Sequence, residues 1–255
     1  MKIVACVKQV PDTAAKVSVE NGKVNWGDAP LVINPWDEYA VEAALQMKES
    51  QGGTVTAITI GGASSGDALK HALAMGCDDA ILINDPAFDV LDTQATAQVL
   101  ASAVKKLEAV DLVCFGKEAV DGNSGLVAAQ TARLLGYASM TLASVVKFDG
   151  GILRVERATE EGRQVVTAKI PAVLSLVKDF GEPRYPSFMG IRKASKAVIP
   201  TWTLADLGIA APAPVVTISE ILNPPAREVT CDVISGTPAE AAAKLVDKIL
   251  EEKVL

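Results

Sequence analysis

The chain is short of the groups that hydrolytic and metal chemistry need. One histidine, His71, occurs in 255 residues. It falls on an expected helix between Lys70 and Ala72, where a surface or packing role is the plain reading. With no second histidine and no evident nucleophile beside it, a Ser–His or Cys–His hydrolase is disfavoured. The four cysteines, Cys6, Cys77, Cys114 and Cys231, are scattered with no CxxC pair. That spacing argues against a thiolate metal site or a disulfide framework and for structural thiols in a reducing cytoplasm. Basic charge is also lacking. The net charge is −7, so the phosphate neutralisation that nucleic acid requires is missing. No apolar run approaches membrane-spanning length. The first residues, MKIVACVKQV, are too short an apolar stretch for a secretory leader and read as a first strand.

What is present is a large supply of core. Half the chain is apolar and 22% is charged, enough for one large domain with an extension. The most informative stretch is 110–135, VDLVCFGKEAVDGNSGLVAAQTARLL. Residues 110–115 are an apolar run, the mark of a strand buried on both faces. A polar loop follows, closed by Asp121-Gly122-Asn123-Ser124-Gly125, and from Leu126 the apolar residues take helical spacing. A strand, a glycine-containing loop and a helix start gather backbone N–H groups at the positive end of a helix dipole, which favours a phosphate. The alternative is an ordinary connection capped by Asn123 or Ser124.

The same alternation runs through the first half. Strands are expected at 3–7, 54–60, 80–83 and 110–115. Helices are expected after Asn34-Pro35-Trp36-Asp37 (with Asn34 or Asp37 as cap), over 67–75, and from Asp92-Thr93 to about Leu107. Asn21-Gly22 predicts a small hairpin with a type I′ turn. This βαβαβαβα order means a doubly wound α/β fold with a mainly parallel sheet. Ligands of such sheets bind beyond the carboxyl ends of the strands, so the loops 8–13, 34–37, 61–66, 85–93 and 116–125 should converge. After Leu135 the texture changes to short β-like runs at 141–148, 152–157, 165–169 and 172–177, read as added antiparallel strands. Residues 179–195 read as irregular and 200–225 as a proline-rich, weakly structured segment. A last amphipathic helix spans 239–252. The expected division is 1–196 as the nucleotide-binding domain and 197–255 as an arm and helix.

Residues 155–175, VERATEEGRQVVTAKIPAVLS, resemble the signature of the β subunit of electron transfer flavoproteins. VKQVPDT at 7–13, NPWDEYAVEAAL at 34–45, ALAMGCDDA at 72–80, GKEAVDG at 116–122 and EPRYPSFMGIRKA at 182–194 are similar to that family in order and spacing. The resemblance covers nearly the whole chain. It implies a heterodimer with an α subunit that carries a redox FAD. The pair takes electrons from flavin-dependent dehydrogenases such as acyl-CoA dehydrogenase and passes them to another acceptor. In bifurcating members the complex also uses NADH. The subunit itself then carries electrons without acid–base residues of its own and binds AMP or, in bifurcating members, a second FAD.

Carried over by position, the nucleotide contacts of the family fall on Cys6, Asn34, Pro35, Trp36, Asp37, Ile60, Gly116, Lys117, Glu118, Ala119, Val120, Asp121, Gly122, Asn123, Ser124, Gly125, Leu126 and Val127. Thr93 and Thr96 resemble the threonines that contact the diphosphate of the second FAD. Two departures bear on the choice. AMP-binding members have Asn-Gln-Thr where this chain has Gly125-Leu126-Val127, so a phosphate here must be held largely by backbone. Bifurcating members have Asp-Thr where this chain has Asn123-Ser124. Trp36 resembles the aromatic that approaches the flavin of the α subunit. Residues 182–196 resemble the loop that docks dehydrogenases, with Arg184, Tyr185, Phe188 and Arg192 as candidates and Phe188 as the apolar anchor.

Two other classes compete. A stand-alone ATP- or AMP-binding regulatory module of similar fold would need no long C-terminal arm. An adenylating enzyme would need a stronger Gly/Ser phosphate loop flanked by basic residues, and Lys117 is the one candidate.

Overall fold

The structure is a computed structural model and describes every residue except 89, 90, 224, 226–230, 254 and 255. Parts of the expected 85–93 loop and of the proline-rich 200–225 segment therefore lie outside the described residues. The chain divides into two compact units, residues 1–220 and 221–255.

The strands are β1 (Lys2–Cys6), β2 (Gln9–Pro11), β3 (Ser18–Glu20), β4 (Lys23–Asn25), β5 (Leu31–Ile33), β6 (Thr54–Ile60), β7 (Asp79–Ile83), β8 (Leu112–Gly116), β9 (Ala138–Asp149), β10 (Ile152–Thr159), β11 (Gly162–Lys169), β12 (Ala172–Leu176) and β13 (Thr201–Trp202). The helices are α1 (Pro35–Gln51), α2 (Gly66–Met75), α3 (Thr93–Leu107), α4 (Val127–Leu135), α5 (Phe188–Ala194), α6 (Leu204–Leu207) and α7 (Pro238–Glu251).

Nine strands form one sheet in the order β11-β10-β9-β12-β8-β1-β6-β7-β13. All neighbours from β9 to β13 are parallel, and only β9-β10-β11 is antiparallel. From β1 the chain moves outward through β6 and β7, then returns to the other side of β1 for β8. The order reverses between β1 and β8, which makes their carboxyl ends the topological switch point. Strands β1, β8 and β12 bury nearly every residue, as apolar runs flanked by helices on both faces should. One face packs Ile3, Ala5, Leu112 and Leu174 under Val41, Leu45 and Leu69. The other packs Val4, Val113 and Phe115 under Leu100, Val104 and Ala132.

Local chemistry sets the elements. In the β3–β4 hairpin, Asn21 and Gly22 both have positive φ, 52° and 71°, as the type I′ turn requires. Pro35 begins α1 and Gly52 ends it. Asp92 caps α3, its Oδ1 accepting the Ala95 N–H at 2.7 Å.

Four expectations need correction. Residues 172–177 are not part of an antiparallel section: β12 is a central parallel strand between β8 and β9. Length and composition do not say which strand a run will pair with. The 179–195 stretch is not wholly irregular, since Ser187 caps α5 by accepting the Gly190 N–H at 2.9 Å. The arm begins later than residue 197, because Thr201–Trp202 pairs with β7 and Leu204 is buried. Finally, Asn123 and Ser124 do not cap α4. The position before that helix is Leu126, with no side-chain cap.

Candidate functional site

Strands β1 and β8 pair in register through Ala5–Cys114. One step further they part. The Gly116 N–H turns instead to Asp37 Oδ1 at 3.2 Å, and the Lys8 N–H meets Asp37 Oδ2 at 2.8 Å. The Asp37 carboxylate is thus a wedge between the two strand ends. It is buried, and burial pushes its carboxyl up to about 7, partly offset by the Asn34 amide and by the N–H groups of Lys8 and Gly116. It is no helix cap, as the sequence alone had suggested. Gly116 is required at this closeness: a Cβ there would stand 2.5 Å from Asp37 Oδ1 and from the Trp36 carbonyl carbon.

Asn34, fully buried, does the matching work on the loop. Its Nδ2 donates to the Glu118 carbonyl at 2.9 Å and its Oδ1 accepts the Val120 N–H at 3.2 Å. Asn34 stands at the cap position of α1, yet its side chain makes no cap bond. The amide carries donors on Nδ2 and an acceptor at Oδ1, so it fixes both polarities of the loop backbone. The loop is fastened again at its rim, where Lys8 Nζ pairs with Asp121 Oδ2 at 2.6 Å. Lys117 Nζ lies 5.3 Å from the Trp36 ring centroid and 3.2 Å from Glu118 Oε1.

Beyond these fastenings the loop turns back on itself, with the Gly122 and Asn123 N–H groups on the Ala119 carbonyl. Asn123 and Gly125 take positive φ, 47° and 62°. Among the described residues, the N–H groups of Ser124, Gly125 and Leu126 find no protein acceptor. They lie exposed in front of α4. Free backbone N–H groups ahead of a helix N-terminus fit a phosphate. This donor set needs no polar side chain at Gly125, Leu126 or Val127.

The other sequence-predicted residues distribute as follows. Cys6 ends β1 and Ile60 ends β6, both at the carboxyl edge beside the switch point. Pro35 and Trp36 are half-buried in the first turn of α1. Thr93 and Thr96 lie in the first turn of α3. That helix and α4 each follow a parallel strand, pack against each other and begin at the same end of the sheet. Asp92 Oδ2 also accepts the Val215 and Val216 N–H groups, at 2.6 and 2.9 Å, so the α3 start is partly covered from within the same unit. His71 Nε2 of α2 faces Glu38 Oε1 of α1 at 2.9 Å, in a recess that Pro35 also lines.

Far along α1 from the loop, Arg184 is held by Glu42 and Glu49. Tyr185, Phe188 and Met189 are 94%, 84% and 82% exposed. Sequence reasoning missed Glu42 and Gly190 here. The available signal was a carboxylate on the buried face of α1, between Val41 and Leu45.

Comparison with known proteins agrees with this fold along the chain. Residues 24–207 match the electron transfer flavoprotein domain. The chain is 38% identical to the electron transfer flavoprotein subunit beta of Bacillus subtilis (strain 168), over 99% of this chain and 98% of that protein. It is 37% identical to the subunit of the same name from Clostridium acetobutylicum, over 99% of both. It is 35% identical to the Caffeyl-CoA reductase-Etf complex subunit CarD of Acetobacterium woodii, over the full length of both. With a nine-stranded sheet that opens at β1 and β8 and these full-length similarities, the chain belongs to the electron transfer flavoprotein family.

Proposed function

We propose that the chain is the β subunit of a heterodimeric electron transfer flavoprotein and that the switch-point crevice between β1 and β8 holds an adenine nucleotide. The observation that carries the nucleotide reading is the pair of clamps by Asn34 and Asp37, which hold the 116–120 loop open and leave the N–H groups of 124–126 free. In this reading the backbone at Cys6 and Ile60 meets the adenine edge, and the 121–127 loop with Ser124 holds phosphate. A second FAD is favoured over AMP. Its diphosphate would use the neighbouring starts of α3 and α4, where Thr93 and Thr96 offer hydroxyls that a monophosphate held at 124–126 would leave unused. Similarity to a subunit of a caffeyl-CoA reductase–Etf complex supports the same choice.

A bound flavin supplies the electron transfer, and the chain supplies position and exclusion of water. Trp36, flanked by Lys117 and Tyr39, covers a flavin of the α subunit in this reading. Tyr185, Phe188 and Arg192 form the docking surface for a flavin-dependent dehydrogenase of the acyl-CoA dehydrogenase type. The 221–255 unit, with Leu245, Val246 and Leu250 of α7 exposed, packs on the α subunit. A cytoplasmic setting fits the free thiols of Cys6, Cys77 and Cys114; among the described residues no helix is long and apolar enough to cross a membrane.

The test is a count. The purified heterodimer is denatured, and released FAD and AMP are measured per pair. Two FAD is the expected result. One FAD with one AMP overturns the second-FAD reading and keeps the nucleotide crevice. One FAD alone overturns the crevice reading itself.

A further inference from the structure

The exposed apolar residues of 185–191 stand on a rigid mount. Arg184 donates its backbone N–H to Glu42 Oε2 at 3.1 Å, its Nε to the same oxygen at 2.7 Å and its Nη2 to Glu42 Oε1 at 3.0 Å. Its remaining donors reach Glu49, Nη1 to Oε1 at 2.5 Å and Nη2 to Oε2 at 3.1 Å. Glu42 is buried and further held by Gln46 Nε2 at 2.8 Å. Burial pushes the Glu42 carboxyl up, and the Arg184 hydrogen bonds outweigh that and leave it below its ordinary value. The planar guanidinium fork suits two carboxylates two turns apart on one helix, which a lysine cannot span.

The second point of the mount is α5 itself. Gly190 lies so close to α2 that a Cβ would stand 2.3 Å from the Ala74 carbonyl oxygen, and Ala194 is buried beneath it. Between Arg184 on α1 and Gly190 on α2, the chain turns Tyr185, Phe188 and Met189 outward. Arg192, Lys193 and Lys196 rim them. An apolar patch this exposed marks a partner surface, and its basic rim fits a partner with an acidic rim around an apolar recess.

We infer that Arg184 is a positioning residue for dehydrogenase docking, holding the Tyr185–Phe188–Met189 patch in its binding shape from α1 rather than offering its charge to the partner. The inference rests on the docking reading proposed above and reassigns one residue of it. A patch ordered in advance loses less freedom on association, so the mount lowers the concentration of heterodimer needed without touching the electron-transfer step.

The experiment uses the intact heterodimer with an acyl-CoA dehydrogenase, reduced by its acyl-CoA, as the probe. KM for the heterodimer and kcat are measured for the unmodified protein and for Phe188→Ala, Arg184→Met and Arg184→Lys. Hydrogen exchange at 185–194 is measured without the dehydrogenase. Arg184→Met is expected to raise KM about tenfold at constant kcat and FAD content and to speed exchange across 185–194, with Arg184→Lys in between. If Phe188→Ala raises KM and Arg184→Met does not, the positioning role is overturned and docking stands. If Phe188→Ala leaves KM unchanged, the docking reading falls and the inference with it. Unchanged exchange in Arg184→Met overturns the mount by itself.

Discussion

The Asp37 carboxylate accepts the Gly116 N–H at 3.2 Å at the point where β8 has ceased to pair with β1. A ladder bond is replaced by a side chain from a helix. That substitution opens the crevice, and it places a carboxylate in a site too dry to favour its charge.

The cost of that charge has a sign. Asp37 goes from 3.8 in the unfolded chain to about 7 in the folded one. Between these values the native state holds a proton that the unfolded state has lost, so its contribution to stability falls as pH rises from about 4 to 7 and is level above. Asp37→Asn removes this term. Thermal melts of the heterodimer from pH 5 to 8 should show the unmodified protein losing stability relative to the variant, by up to a few kcal/mol. Parallel curves would sink the idea.

Asn34→Ala leaves the Glu118 carbonyl and the Val120 N–H without partners in a part-buried loop. Each such group costs about 1–3 kcal/mol. Nucleotide retained per heterodimer after gel filtration should fall, by tenfold or more in affinity, while the redox flavin stays. Full retention would show that the loop holds its shape without this clamp.

Gly116→Ala forces a methyl against the Trp36 backbone and Asp37. Backbone on one side and a buried carboxylate on the other leave little room to relax, so about 1–3 kcal/mol of destabilisation is expected, as for other overpacked sites. Chemical denaturation reads it directly. A variant of unchanged stability would mean the strand end shifts freely.

Removing residues 237–255 takes away α7 and its exposed Leu245, Val246 and Leu250. Co-purification with the α subunit should weaken sharply. Undiminished recovery of the pair would assign that helix another role.

Much of this was legible in the sequence where the signal is local. The β-branched run at Thr54–Ile60, the Asn21-Gly22 turn and the Asp92 cap state their structures within a few residues. What is set by distant neighbours was not. Asp37 in a first turn beside Pro35 has the look of a cap, and only the divergence of β1 and β8 gives it another task. Arg184 has the look of a free surface charge, and its partners Glu42 and Glu49 are 142 and 135 residues away. The crevice loop was legible as a loop; the two side chains that hold it open were not, because they lie 79 to 86 residues before the groups they bind.

The central place of β12 has a consequence for how the molecule is made. During synthesis, β1, β6 and β7 can pair in turn as they emerge, and β8 can add to the free side of β1. The other edge of β8 has no partner until Leu176 has been made, after the whole β9–β11 excursion. Pairing over that separation is slow. Until then Leu112–Gly116, and with it the carboxyl edge that carries the 116–125 loop, remains an open sheet edge. β12, which closes it, is made only after that whole excursion.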